Sequence, residues 1–166
     1  MPHIKTLALT ILLAVTGATA QLLPEDPNWR ESAVPPPPAF DLKRFIRVDG
    51  PAGSSLTYSI DPTTLVVTPE SVVRYVIAAT SKDGGLNVMY EGIRCSTAQH
   101  RVYARYNASS GWSPLQEGDW QSMFGSAATR HALTLSLAGV CRDRAVNRSA
   151  AYIVRTLKGE QPGGYD

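Results

Sequence analysis

Glu-Gly-Ile-Arg-Cys at residues 91–95 of the 166-residue chain brings a carboxylate, a guanidinium and a thiol close together. A carboxylate close to a guanidinium can act as a general acid or base, because a neighbouring cation tunes its proton affinity. Glu91 is therefore the candidate acid/base of a hydrolase acting on a glycan, a reaction that calls for two carboxylates across a cleft. The competing reading is structural: Glu91 pairs with Arg94, Arg74 or Arg101 on a solvated face of a sheet. Cys95 and Cys141 are the only two cysteines.

Other chemistries find less support. Nucleophilic catalysis has no Gly-x-Ser-x-Gly elbow to build on. His100 and His131 stand isolated in sequence, without ligand spacing to each other or to a cysteine, so neither a metal nor another cofactor is expected. Asp83-Gly84-Gly85 lacks the strand-to-helix context of a phosphate loop. Trp29, Trp112 and Trp120 offer flat rings that stack on sugars or anchor a partner, or else fill the core and pin loops. Arg142, Arg144, Arg148, Arg155 and Lys158 give the C-terminal segment a basic character suited to an anionic envelope polymer or lipid, or simply to a solvated helix face. Asn107-Ala108-Ser109 and Asn147-Arg148-Ser149 match glycosylation sequons, which matter only in a eukaryotic secretory pathway.

The N-terminus bears on the cysteines. His3 and Lys5 precede an apolar run from Leu7 to Val15 and the small-residue site Ala18-Thr19-Ala20, the three-part pattern of a secretory signal peptide. Cleavage after Ala20 would expose Gln21 and no lipid-accepting cysteine. No later stretch is long and apolar enough to span a bilayer. Periplasmic or secreted localisation follows as an expectation. In an oxidising compartment Cys95 and Cys141 most simply form a disulfide, worth roughly 3–4 kcal/mol for so long a loop; free buried thiols and a catalytic thiol are the rivals. With 16 basic against 14 acidic residues the net charge is only +2, which supplies no whole-protein attraction to nucleic acid.

These residues need elements to position them. Two β-branched, aromatic-rich runs around Asp83-Gly84-Gly85 read as a central hairpin ending at Cys95. Within it Val88, Tyr90 and Gly92 share one face and Met89, Glu91 and Ile93 the other, so both faces need covering. Arg74, on the preceding strand, is expected to turn outward. Flanking strands are expected at 45–48, 56–60, 65–67 and 102–106, with a turn at Asp61-Pro62. Trp120, Met123 and Phe124 are expected to anchor the following polar stretch. Residues 131–140 suit a short helix leading to Cys141. Val146, Ala150, Ile153, Val154 and Leu157 recur at helical spacing, with Asp143 as N-cap and Gly159 as the stop. The expected architecture is α+β: an antiparallel sheet of about five to seven strands with one or two C-terminal helices. Its expected parts are a signal peptide (1–20), a Pro-rich arm (21–41), a β-rich core (42–143), a basic amphipathic helix (144–158) and a tail (159–166). The prolines at 35–38 favour an extended polyproline II arm, either a stiff spacer or a docking ligand, whose Trp29 and Phe40 could fasten it to the domain.

Val72-Val73-Arg74-Tyr75 together with Asn87-Val88-Met89-Tyr90-Glu91-Gly92-Ile93-Arg94-Cys95 resembles the cryptic neisserial protein-like family, small exported proteins of Gram-negative bacteria. The resemblance begins at Glu25-Asp26-Pro27-Asn28-Trp29-Arg30-Glu31 and runs to about residue 143, leaving the basic helix outside it. It implies an envelope location and a single domain, and it carries no reaction with it. The expectation is thus a non-catalytic binding or scaffolding protein of the envelope. Trp29, Arg94, Trp112, Arg148 and Arg155 are its candidate contacts to an envelope protein or anionic polymer. A hydrolase using Glu91 and a chaperone-like assembly factor are the alternatives.

Overall fold

The computed structural model describes residues 26–115 and 119–160. The leader-like segment and the last six residues lie outside them. The strands are β1 (Ile46–Val48), β2 (Thr57–Val67), β3 (Val72–Thr80), β4 (Leu86–Arg94), β5 (Gln99–Asn107), β6 (Gly111–Pro114) and β7 (Gln121–Ser122). They form a seven-stranded sheet in the order β1-β2-β3-β4-β5-β6, every neighbour antiparallel, with β7 pairing the start of β5. From β1 to β6 each strand pairs with the next one in the chain, as short connections favour. The helices α1 (Arg130–Leu135) and α2 (Ala150–Leu157) flank a two-stranded hairpin of β8 (Cys141–Arg142) and β9 (Ala145–Val146).

The central hairpin forms as expected. β3 and β4 pair in unbroken register from Val72 opposite Arg94 to Thr80 opposite Leu86, and Gly84 takes φ +83° in the turn. Both faces of these strands are buried. On one face Tyr58, Ile60, Tyr75, Ile77, Met89 and Ile93 meet Ala132, Leu135, Val140 and Ile153 from the C-terminal segments. On the other, Val76, Val88, Tyr90 and Ala104 meet Val34 and Phe40 of the Pro-rich arm. The arm is thus part of the core. Phe40 makes edge-to-face contacts with Phe45, Tyr106 and Trp112 at 4.9–5.9 Å.

Four local expectations are corrected. Asp61-Pro62 is not a turn: β2 runs straight through, with an irregular register between Asp61 and Val66. Asp61 is buried because Arg44 and the Asp41 and Thr63 amides supply donors for its carboxylate. The last helix begins at Ala150, capped by Ser149, because Val146 belongs to β9 and Asp143 sits at φ +56° in the β8–β9 turn. Gly159 does end it. Phe124 anchors nothing, being 72% exposed, whereas Met123 is buried. Arg74 faces away from the helices yet is buried, because the arm lies over it.

Candidate functional site

Alternation along β4 places Glu91 between Met89 and Ile93 on the helix-covered face, opposite Tyr75 of β3 and Val102 of β5. A carboxylate on an apolar face must find hydrogen-bond donors, since an unpaired buried charge is very costly. Glu91 finds two. Tyr75 Oη donates to Oε2 at 3.3 Å, and His131 Nε2 lies 3.1 and 2.9 Å from Oε1 and Oε2. The Glu91 side chain is fully buried. Its expected partners Arg94, Arg74 and Arg101 are on the opposite face or directed to the arm, so the solvated ion pair is overturned by the period-two geometry of the strand.

His131 is placed by a short chain of local devices. Ser126 and Thr129 form a reciprocal capping box, a 3-10 turn follows, and α1 then lays His131 over the sheet. Its ring stacks on Tyr58 at 5.5 Å, with 5° between the planes. Burial opposes the charged imidazolium, but the Glu91 charge and hydrogen bond, with a backbone contact to Ala128, outweigh it and raise the His131 pKa. Burial drives the Tyr75 pKa well up, and Glu91 adds to it, so the phenol remains a donor.

His100 enters from β5, opposite Ile93, on the same face. Its ring meets the His131 ring edge-on at 5.7 Å. Burial, reinforced by His131 and opposed by Glu91, lowers its pKa, so this imidazole is neutral at neutral pH. Ligand atoms of Glu91, His100 and His131 all lie within 4.8 Å of one another. The two histidines isolated in sequence therefore converge on Glu91, and the expected absence of ligand clustering does not hold in space. Beside them is a cavity of about 160 Å³, whose rim includes Arg105, Asp119 and Gln121. The arrangement can hold a proton between Glu91 and His131, or hold a cation.

A second polar cluster lies on the arm-covered face. Glu31 accepts from Arg74 at 2.9 Å, from Arg101 at 3.3 Å and from the Tyr103 hydroxyl at 2.5 Å. Burial and the Glu31 carboxylate push the Tyr103 pKa far up. Ser32 fastens the arm to Glu70, whose carboxylate also lies 3.5 Å from Arg74. Trp29 and Arg94 meet here: the guanidinium sits 3.6 Å over the indole, whose N–H donates to the Glu70 carbonyl. Trp112 packs on Phe40 and Tyr106. These three expected contact residues thus engage the chain's own arm and sheet. Arg148 and Arg155 lie far along the sequence from them, on the exposed surface of the last segment, both against Tyr152.

Cys95 and Cys141 are joined in a disulfide, with Cα atoms 5.7 Å apart across a separation of 46 residues. The bridge ties the end of β4 to β8, and so holds the segment containing His131 against the strand containing Glu91. Sequence reasoning found Glu91 but missed Tyr75, His100, His131 and Glu31. The available signal was the apolar company of Glu91, which demanded a buried partner.

No curated protein matches the chain, and no solved structure does either. The family model described as the CNP1-like family matches residues 24–158, from the start of the arm to just beyond the end of α2. The match includes the basic C-terminal segment that sequence comparison by motif leaves out, and the chain belongs to the CNP1-like family.

Proposed function

We propose that this protein is exported into the envelope of a Gram-negative bacterium, as a cryptic neisserial protein-like member, and serves there as a non-catalytic binding or scaffolding module. The observation that carries this reading is the placement of Glu91. This candidate acid/base carboxylate is fully buried and already bonded by Tyr75 and His131. The adjoining cavity is small, about 160 Å³. The leader pattern at residues 1–20 and the disulfide support export. Among the described residues no helix is long and apolar enough to cross a membrane.

The binding surface in this reading is the basic C-terminal segment. Arg142, Arg144, Arg148, Arg155 and Lys158 are exposed, and the first three border a shallow hollow with Asp143 as its acid. Arg144 is already oriented by two hydrogen bonds to the Ser96 carbonyl. Such a surface suits an anionic lipid or polymer, with an attraction that salt screens. The mature protein should sediment with phosphatidylglycerol vesicles, lose that binding in high salt or on combining Arg142→Glu with Arg155→Glu, and release nothing from cell-wall polymer. Turnover of cell-wall polymer that Glu91→Gln abolishes at an unchanged melting temperature would overturn the non-catalytic reading in favour of a hydrolase.

A further inference from the structure

We propose that Glu91, His100 and His131 form a binding site for a divalent transition-metal ion, with zinc the best match to the donor set. The inference goes beyond the envelope-binding reading and does not rest on it.

Geometry comes first. One carboxylate and two imidazoles present ligand atoms within 4.8 Å of one another, each from a different element, β4, β5 and α1. Zinc bonds of about 2.0–2.2 Å to nitrogen and oxygen place tetrahedral ligands roughly 3.5 Å apart. The Glu91–His131 contact, at 2.9 Å, therefore opens slightly on binding, and His100 closes the remainder. Two imidazoles and one carboxylate suit Zn²⁺ and its transition-metal neighbours; Ca²⁺ and Mg²⁺ prefer all-oxygen sites.

The second observation is His100 itself. It is only 3% exposed, yet neither ring nitrogen has a hydrogen-bond partner among the described residues. A neutral imidazole carries one N–H and one lone pair, and native interiors rarely leave both unmet. A simple Glu91–His131 ion pair satisfies those two residues but leaves His100 facing them with an unused lone pair. A metal ion accounts for all three.

The surroundings fit the role. Tyr75 donates to Glu91, and Tyr58 stacks on His131, so two of the ligands have their orientation fixed from behind. Arg105 on the cavity rim works against a cation, and Asp119 on the same rim offsets it. The cavity leaves space for a water at a fourth position. The disulfide holds the α1 ligand in register with the two strand ligands.

The test uses untagged mature protein with its disulfide intact, stripped with a chelator. Titration with Zn²⁺ alone, and with Co²⁺ followed by its visible absorption, should show one ion per chain and the intense bands of tetrahedral cobalt. Thermal stability should rise with zinc. His100→Phe fills the same space without a ligand and breaks no hydrogen bond. It should fold, and it should lose more affinity than the about 10–100-fold that outer-shell partners cost. Glu91→Gln and His131→Gln should do the same where they fold. The proposal fails if the wild type shows no stoichiometric binding. It fails equally if His100→Phe binds as tightly as the wild type, or if a crystal grown with zinc shows an ordered water and no ion between the three side chains.

Discussion

Glu31 is the most demanding test of how the arm is held. Replacing it by alanine removes the carboxylate between Arg74 and Arg101 and the acceptor of the Tyr103 hydroxyl. Removing one partner of a buried ion pair costs about 3–5 kcal/mol, mostly because the other charge is stranded. Two features place Glu31→Ala at the lower end. Arg101 is 25% exposed and can hydrate, and Arg74 keeps Glu70 at 3.5 Å and the Ser32 carbonyl at 3.3 Å. The expected loss is about 3 kcal/mol, or ~6–12 °C in melting temperature at about 2–4 °C per kcal/mol for a chain of this size. Urea titration gives the free energy, and in a Trp112→Phe, Trp120→Phe background the fluorescence of Trp29, whose indole is stacked under Arg94, reports the arm. Glu31→Gln, which retains an acceptor, should lose less. A change below about 1 kcal/mol for Glu31→Ala, the scale of a surface pair, would refute the idea that this carboxylate clamps the arm.

Three further outcomes are expected. Cys95→Ala and Cys141→Ala should each cost about 3–4 kcal/mol by the chain-entropy model, and the two should match in a thermal melt because they open the same loop. Gly92→Ala should cost about 1–3 kcal/mol in denaturant titration, since a Cβ there would collide with the Tyr103 hydroxyl and push it off Glu31. In metal-free protein the raised pKa of His131 contributes stability that is complete below its unfolded value near 6.5 and is lost as pH rises through the higher folded value. The lowered pKa of His100 acts oppositely, withdrawing stability as pH falls below 6.5. Urea midpoints measured across neutral pH should therefore decline toward alkaline pH in the wild type and flatten there in His131→Gln.

The hairpin, the disulfide and the number of strands were legible because each has a local signature: period-two alternation, a glycine turn, two cysteines beside a leader pattern. The convergence of His100 and His131 had none. His100 reaches Glu91 only because β5 returns beside β4, and His131 only because α1 folds back over the sheet, and neither placement is encoded within reach of either residue. Arg74 misled for a related reason. Its neighbours announce a strand with one charged position, which ordinarily faces water, while Glu31, 43 residues earlier in a proline-rich stretch, supplies the cover. Val146 shows the limit of periodicity, since a two-residue strand followed by a bend can continue a helical spacing by chance.

The sheet buries carboxylates on both faces, and Glu31 and Glu91 are compensated differently. On the arm side Glu31 and Glu70 face Arg74 and Arg101, whose charges persist at any physiological pH. That cluster is a fixed clasp. On the helix side Glu91 faces two imidazoles, whose charge depends on protonation or on a bound cation. The same strand pair therefore carries one constant electrostatic contact and one that can change state.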